Sequence, residues 1–351
     1  MKPITHYWQS FNLISVSLAP LSLLFCGLVS LRCLLYRLGL LKTVQSPLPV
    51  IVVGNIYIGG NGKTPFVIWL VEQLQLAGYT PGVVSRGYGA LEEDALEAEN
   101  HPWPRRVNLQ QDIQLFGDEP YLIHQTTHCP VVVDPKRSRA VAALAQETDC
   151  DVIISDDGLQ HYAMTRLIEI NITDAQRLYG NGLCLPAGPL RERMSRLKSV
   201  DYIVYNQFRN ASATPISAVN DKEFIMAYEF CELKTLAGNN EKSMTLADFK
   251  GKIIHAVAGI GEPMNFFQML EAQGLKVIAH AFADHYSYKA EDLLFDDTHP
   301  IIMTEKDAVK CQSFMDDNLL QESLSEIWYL PIKVQLDPQL IGKITQQLKQ
   351  L

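Results

Sequence analysis

At 351 residues, 47 per cent of them hydrophobic, the chain is long enough for two cored domains and an appendage. Its 30 basic and 39 acidic side chains give a formal charge of -9, which excludes nucleic acid as the main partner, because neutralising phosphates takes clustered basic surface. The 7 cysteines, Cys26, Cys33, Cys129, Cys150, Cys184, Cys231 and Cys311, are scattered and never form a Cys-x-x-Cys pair, so all are expected to be reduced, with neither a disulfide framework nor a zinc site.

From Phe11 to Leu31 no residue is charged, and Leu, Ile, Val and Phe dominate. The run reaches the roughly 20 residues needed to cross a bilayer. Pro20 and several serines leave two forms open, a spanning helix or a bent monotopic anchor. Arg32, Arg37 and Lys42 after the run outnumber Lys2 before it, which by the positive-inside rule puts the rest of the chain in the cytoplasm. The run is long for a cleaved signal peptide, and no small-x-small cleavage site follows.

A β-branched strand at 49–54 then breaks into Gly59-Gly60-Asn61-Gly62-Lys63-Thr64 at the start of an apolar helix, 65–77, with Pro65 in its first turn. This is a phosphate cradle. Glycines let backbone N–H groups approach a polyphosphate, Lys63 neutralises charge, and the Thr64 hydroxyl suits Mg²⁺. The strict pattern wants glycine where Tyr57 stands, so the loop is a variant.

Strands at 81–85, 130–133 and 151–155 alternate with helices around 118–126 and 136–147, implying a parallel sheet covered by helices. The acidic, proline-bearing stretch Leu91 to Arg106 reads as a surface loop. A strand at 202–206 closes this unit, and the small polar residues of 210–220 mark a boundary. Beyond it lie a strand-helix-strand unit ending its helix at Gly274, a strand from Pro300, and a last strand over 327–334. The division is therefore a membrane anchor at 1–45, a P-loop nucleotide-binding domain at 46–215 and a second, smaller α/β domain at 216–351.

Several segments bear on chemistry. Asp156-Asp157 follows a strand, at the sheet edge where α/β proteins bind ligands, and suits the acidic group that holds Mg²⁺; helix or turn capping is the other use of one of them. Asp118-Glu119 starts a helix, where carboxylates also serve as dipole partners. Arg86 and Tyr88 of SRGYG lie just past a third strand end. Arg191, Arg193, Arg196 and Lys198 make either a solvated helix face or a contact for anionic lipid heads or substrate phosphate. Gly259-Ile260-Gly261 lacks the third glycine of a dinucleotide site, since Met264 occupies it, and Thr304 with Asp307 reads as a capping box.

The segments GNIYIGGNGKTP, SRGYG, GDEP, DDGLQH, LPAGPLRE, AGIGEP, FADHYSY and TEKDA, in that order behind an apolar N-terminus, resemble the tetraacyldisaccharide 4'-kinase family of bacterial lipid A synthesis over nearly the whole chain. In that family a non-glycine residue usually stands at the Tyr57 position. The resemblance implies a P-loop kinase-like domain, a second α/β domain closing the cleft, and transfer of the γ-phosphoryl group of ATP, with Mg²⁺, to the 4'-hydroxyl of a lipid A disaccharide 1-phosphate at the cytoplasmic leaflet of the inner membrane. By the same resemblance Lys63 and Thr64 match the phosphate and metal positions, and Asp156 and Asp157 the acidic metal motif. Asp118 matches the general base and His285 the histidine that supports it. Glu119 falls in a metal-side motif, and Tyr88, Arg137, Gln160 and Arg191 fall in substrate-side motifs. The family often has a second histidine where this chain has Tyr286. A membrane-linked P-loop ATPase or GTPase, or a nucleotide-sensing scaffold, would use the same cradle without needing Asp118 and His285 in separate domains.

Overall fold

In the computed structural model, residues 4–91, 101–207, 218, 220–236, 244–311 and 326–351 are described. Most of the expected 91–106 loop, and the expected boundary at 210–220 apart from its last residues, lie outside them.

The chain opens with α1 (Leu13–Arg37), whose N-cap Asn12 accepts a hydrogen bond from the Ser15 N–H. Its inner stripe is made of small side chains, Ser15, Ser22 and Cys26, which let the helix approach the 181–187 segment closely. Asn181 donates to the Ser15 hydroxyl at 3.2 Å, and Ser22 donates to the Cys184 carbonyl at 2.7 Å. Cys26 and Cys184 are joined as a disulfide, against the expectation that every cysteine is reduced. Their separation of 158 residues hides from sequence spacing what helix docking brings together. On the outer side, Leu13, Val16, Leu23, Leu24, Leu28 and Leu31 are exposed.

The larger sheet takes β1 (Val50–Gly54), β2 (Pro81–Ser85), β3 (Arg105–Arg106), β4 (Val131–Val133), β5 (Val152–Ser155), β6 (Ile168–Asp174), β7 (Tyr202–Asn206) and β8 (Glu223–Phe230). The smaller sheet takes β9 (Lys234–Thr235), β10 (Ile253–Ala258), β11 (Lys276–Ala281), β12 (Ile301–Thr304) and β13 (Ile327–Leu330), after which β14 (Ile332–Gln335) returns to the larger one. Among the described residues the orders are β14-β8-β7-β6-β1-β5-β2-β4-β3 and β11-β10-β12-β13-β9. β1 lies between β5 and β6, parallel to both, and β2 lies on the far side of β5. The carboxyl ends of β1, β5 and β2 therefore open onto one edge, where open parallel sheets bind ligands.

Helices α2 (Lys63–Leu76), α3 (Asp118–Thr127) and α4 (Arg137–Glu147) cover this sheet, and α5 (Pro263–Ala272) and α6 (Glu305–Cys311) cover the smaller one. The last helix, α7 (Gln339–Leu348), buries Leu340, Ile344 and Leu348, spaced four apart, in the core of the larger domain. The expected boundary at 215/216 thus does not follow sheet membership, because β8, β14 and α7 all belong to the larger unit. The single strand expected over 327–334 is two strands in different sheets, divided at Pro331, which lacks an N–H for a ladder. The Cys231 N–H donates to the Pro331 carbonyl at 3.0 Å, so the two passages between domains run side by side.

Candidate active site

The cradle forms as its residues require. Gly59 and Gly62 hold φ of 109° and 80°, the region that favours glycine. A Cβ on Gly62 would lie 2.4 Å from the Asn206 amide nitrogen and 2.7 Å from the Tyr228 hydroxyl. Lys63 and Thr64 open α2, whose apolar side chains Phe66, Val67, Leu70 and Leu74 anchor it in the core. Asn61 is buried, and its Nδ2 donor has no partner among the described residues. Tyr57 is buried too, and its hydroxyl accepts from Gln9 Nε2 at 3.2 Å, so the non-glycine residue ties the loop to the N-terminal segment.

At the end of β5, Asp157 adopts φ of 47° and turns its carboxylate between two cations. Lys63 Nζ is 3.6 Å away, and Arg191 Nη1 donates to both oxygens at 3.1 and 3.2 Å. Burial alone would raise the Asp157 carboxyl, but Lys63 and Arg191 hold it down at about 2. Asp156 is the reverse case. Burial, reinforced by the charge of Glu119 and only partly offset by Lys63, pushes its carboxyl up to about 7. Ser85 donates to its Oδ2 at 3.4 Å, while its Oδ1 has no hydrogen-bond partner among the described residues.

Gln160 donates to Glu192 Oε1 at 2.8 Å and to the Asn55 carbonyl at 3.1 Å, and Arg191 donates to its Oε1 at 3.4 Å, so it braces the 185–192 segment behind the cradle. Arg137 is 3 per cent exposed and donates to the main-chain carbonyls of Asp156 and Asp134, at 2.7 and 3.4 Å. It supports the acidic turn from below and does not present its guanidinium to the cleft. The expected basic cluster is also dispersed. Arg196 is buried against Glu169 and Glu192, Arg191 faces Asp157, and Arg193 and Lys198 are exposed.

Across the cleft, Asp118 begins α3 behind Gly117, and His285 reaches it from the loop after β11. His285 Nδ1 lies 2.9 and 3.0 Å from the two Asp118 oxygens. Tyr88 is exposed, and its ring centre lies 5.0 Å from that of His285. Two cations unforeseen as site residues complete the cluster. Lys306 Nζ is 3.5 Å from Asp118, 3.1 Å from Glu119 and 3.3 Å from Asp284, and Lys310 Nζ is 3.9 Å from Asp118 and 2.9 Å from Asp307. Burial would raise the Asp118 carboxyl, yet the hydrogen bond from His285 and the charge of Lys306 hold it down at about 2. Burial works against the Lys306 ammonium, and Glu119, Asp118 and Asp284 more than reverse it, raising its pKa.

One half of the expected capping box is present. Thr304 donates to Asp307 at 2.5 Å, and the Asp307 N–H donates back at 3.2 Å. The signal for the two lysines was their spacing in TEKDAVK, four residues apart on the face of α6 turned to α3. Tyr286 packs with Phe282 and Tyr288 in the smaller domain and takes no part in the cluster.

The cradle and the Glu119, Asp284 and Lys306 side of this cluster share one cleft of about 780 Å³ between the domains, with Lys63 and Thr64 also in its wall. Among the described residues no three His, Cys, Asp or Glu side chains gather as a metal-ligating group. Mg²⁺ does not require one, since it keeps water and phosphate ligands and takes only one or two from protein. The unpartnered, buried Asp156 Oδ1 fits such an ion, with Glu119 and the Thr64 hydroxyl in the same region.

A glycine-rich loop between a buried parallel strand and a helix opening on Lys-Thr, with carboxylates at the neighbouring strand end, defines a P-loop protein of the phosphoryl-transfer class. The family model described as Tetraacyldisaccharide-1-P 4'-kinase (LpxK) matches residues 14–349, and the chain belongs to that family. It is 42 per cent identical to the tetraacyldisaccharide 4'-kinase of Nitrosococcus oceani over 347 residues, covering 99 per cent of this chain and 94 per cent of that one. It is 43 per cent identical to the Coxiella burnetii protein of the same name over 327 residues, covering 93 and 91 per cent. Among solved structures it is similar to LpxK from Aquifex aeolicus, described as an "apo" form in complex with ATP, with a TM-score of 0.76, 27 per cent identity and coverage of 96 per cent of this chain and all of that one.

Proposed function

We propose that the chain transfers the γ-phosphoryl group of ATP to the 4'-hydroxyl of a tetraacyldisaccharide 1-phosphate, a step of lipid A biosynthesis, and that it works at the cytoplasmic leaflet of the inner membrane. Family membership supports the reaction. The observation that carries the mechanism is the Asp118–His285 pair, built from both domains and joined through Lys306 to Glu119 in the wall of the cleft that holds the cradle.

The loop N–H groups and Lys63 receive the phosphates, and Asp157, held between Lys63 and Arg191, keeps the lysine over the loop. Asp118 is ionised throughout the physiological range and accepts the proton of the sugar hydroxyl. A carboxylate this acidic is a weak base. That suffices, because in a loose transfer the hydroxyl gives up its proton only as its bond to phosphorus forms and it turns acidic. With Asp118 ionised, His285 donates from Nδ1 and fixes the carboxylate toward the acceptor. Asp156, Glu119 and Thr64, with Asp157 nearby, would hold Mg²⁺, which when bound would supply positive charge to offset that of the transferring phosphate. A four-chain lipid has negligible aqueous concentration, so the enzyme must meet it at a bilayer, and the outward leucines of α1 offer apolar surface for it.

The deciding experiment is ATP consumption by the full chain in vesicles, with and without the lipid disaccharide. Turnover that depends strictly on the lipid and yields a 4'-phosphate is expected. Equal ATP hydrolysis without lipid would replace this reading with that of a P-loop ATPase.

A further inference from the structure

We infer that Arg177 is a positioning residue for the phosphate loop, and that the smaller domain sets nucleotide affinity through it, by way of Glu262. This rests on the reading of residues 59–64 as an ATP cradle.

Arg177 follows β6, the neighbour of β1 on the flank opposite β5, so it approaches the loop from the side away from Asp156-Asp157. Asp174 builds the turn that presents it, accepting the N–H groups of Gln176 and Arg177 at 3.0 and 2.9 Å. From there the guanidinium forks. Nη2 donates to the Gly60 carbonyl at 2.6 Å and to Asn61 Oδ1 at 3.0 Å, while Nη1 donates to Glu262 Oε1 at 2.7 Å. Its carbon lies 5.3 Å from the centre of the Tyr57 ring.

Two facts make these contacts more than surface ion pairing. The first is which part of the loop it holds: Asn55 Nδ2 donates to the Gly59 carbonyl at 3.3 Å and Asn206 Nδ2 to the Asn61 carbonyl at 3.1 Å, and Arg177 takes the Gly60 carbonyl between them. A Cβ on Gly59 or Gly60 would meet nothing within 4 Å among the described residues, and a glycine-rich segment loses the most backbone entropy on ordering. The second is where Glu262 sits, as the N-cap of α5 in the smaller domain, just after Gly261, whose Cβ position lies 3.6 Å from the Gly60 nitrogen. One planar guanidinium therefore joins the loop's carbonyl, the side chain that orients its buried amide, and the other domain. A lysine has no fork to make the three bonds at once.

The experiment measures the Kd of Mg-ATP for the full chain in detergent without lipid, alongside KM for ATP, KM for the lipid and kcat with it. Arg177→Ala should raise Kd and KM for ATP at least about tenfold while the lipid KM stays within about twofold, a loss on the scale of one charge-assisted hydrogen bond. Arg177→Lys should remain about fivefold weak. Glu262→Gln should raise Kd about threefold, and adding it to Arg177→Ala should cost nothing more, because the carboxylate acts only through the arginine. Unchanged ATP Kd in Arg177→Ala with only a lower Tm, or losses from the two substitutions that add, would overturn the proposal. Should Arg177→Ala not fold, normal ATP Kd in both Arg177→Lys and Glu262→Gln would overturn it equally. The lipid-free Kd keeps this test separate from the identity of the acceptor.

Discussion

Asp156-Asp157 and Asp118-Glu119 are both pairs of adjacent carboxylates, the first at the end of β5 and the second at the start of α3, yet their surroundings differ sharply. Asp156 is buried with an oxygen that has no partner among the described residues, and its carboxyl is pushed up to about 7; Asp118, as deeply placed, is met by His285, Lys306 and Lys310 and held at about 2. The first pair is arranged by its own neighbourhood in the larger sheet, the second by residues from the smaller domain. Identical side chains thus acquire different tasks from what packs against them: a site with room for a cation, and a permanently ionised acceptor.

The largest expected effect breaks the second pair. Asp118→Asn should slow single-turnover transfer by about 10²–10⁴-fold with ATP affinity little changed, and adding His285→Ala should cost less than the sum of separate losses. Strictly additive barriers would dissolve the dyad. On the cradle side, Lys63→Ala should lower kcat/KM by about 10²–10³-fold, and Thr64→Ala should also impair transfer; folded variants within a few fold of wild type at saturating Mg²⁺-ATP would remove the loop from the mechanism.

Replacing Lys306 by Met should sharpen the contrast through pH. Asp118 works only when ionised, so activity falls as pH drops through its folded value of about 2, below the ordinary 3.8. Without Lys306 that value rises, and the acid limb of kcat/KM should move to higher pH; an unmoved limb would leave His285 as the whole cause. The smallest effect concerns stability. Asp156, raised from 3.8 to about 7, favours the fold when protonated, a contribution complete below 3.8 and lost as pH rises through 7. Between pH 5 and 8 the wild-type Tm should therefore fall by a few degrees relative to Asp156→Asn. Parallel Tm profiles would show that Asp156 is not the group stressed by burial.

The cradle was legible because its signal is local. Glycines, Lys63 and Thr64 must be contiguous, and the strand and helix that hold them announce themselves by β-branching and apolar periodicity. Asp118 and His285 could be paired in advance only through the family resemblance, since 167 residues separate them. In sequence Lys306 and Lys310 read as part of a helix start, and Arg177 stands in a polar turn with no local signal of its partners.

By itself, the sequence determined the alternation of strands and helices, the cradle, the apolar N-terminal run and the family. Each is a property of neighbours along the chain, where spacing translates directly into geometry. Tertiary structure alone decided that β8, β14 and α7 return to the larger domain, that Cys26 meets Cys184, and that Arg137 lies beneath the acidic turn. It also decided which carboxylate sits at about 2 and which at about 7. Sheet order, burial and the charge of distant side chains set those outcomes, and none of them is written in local composition.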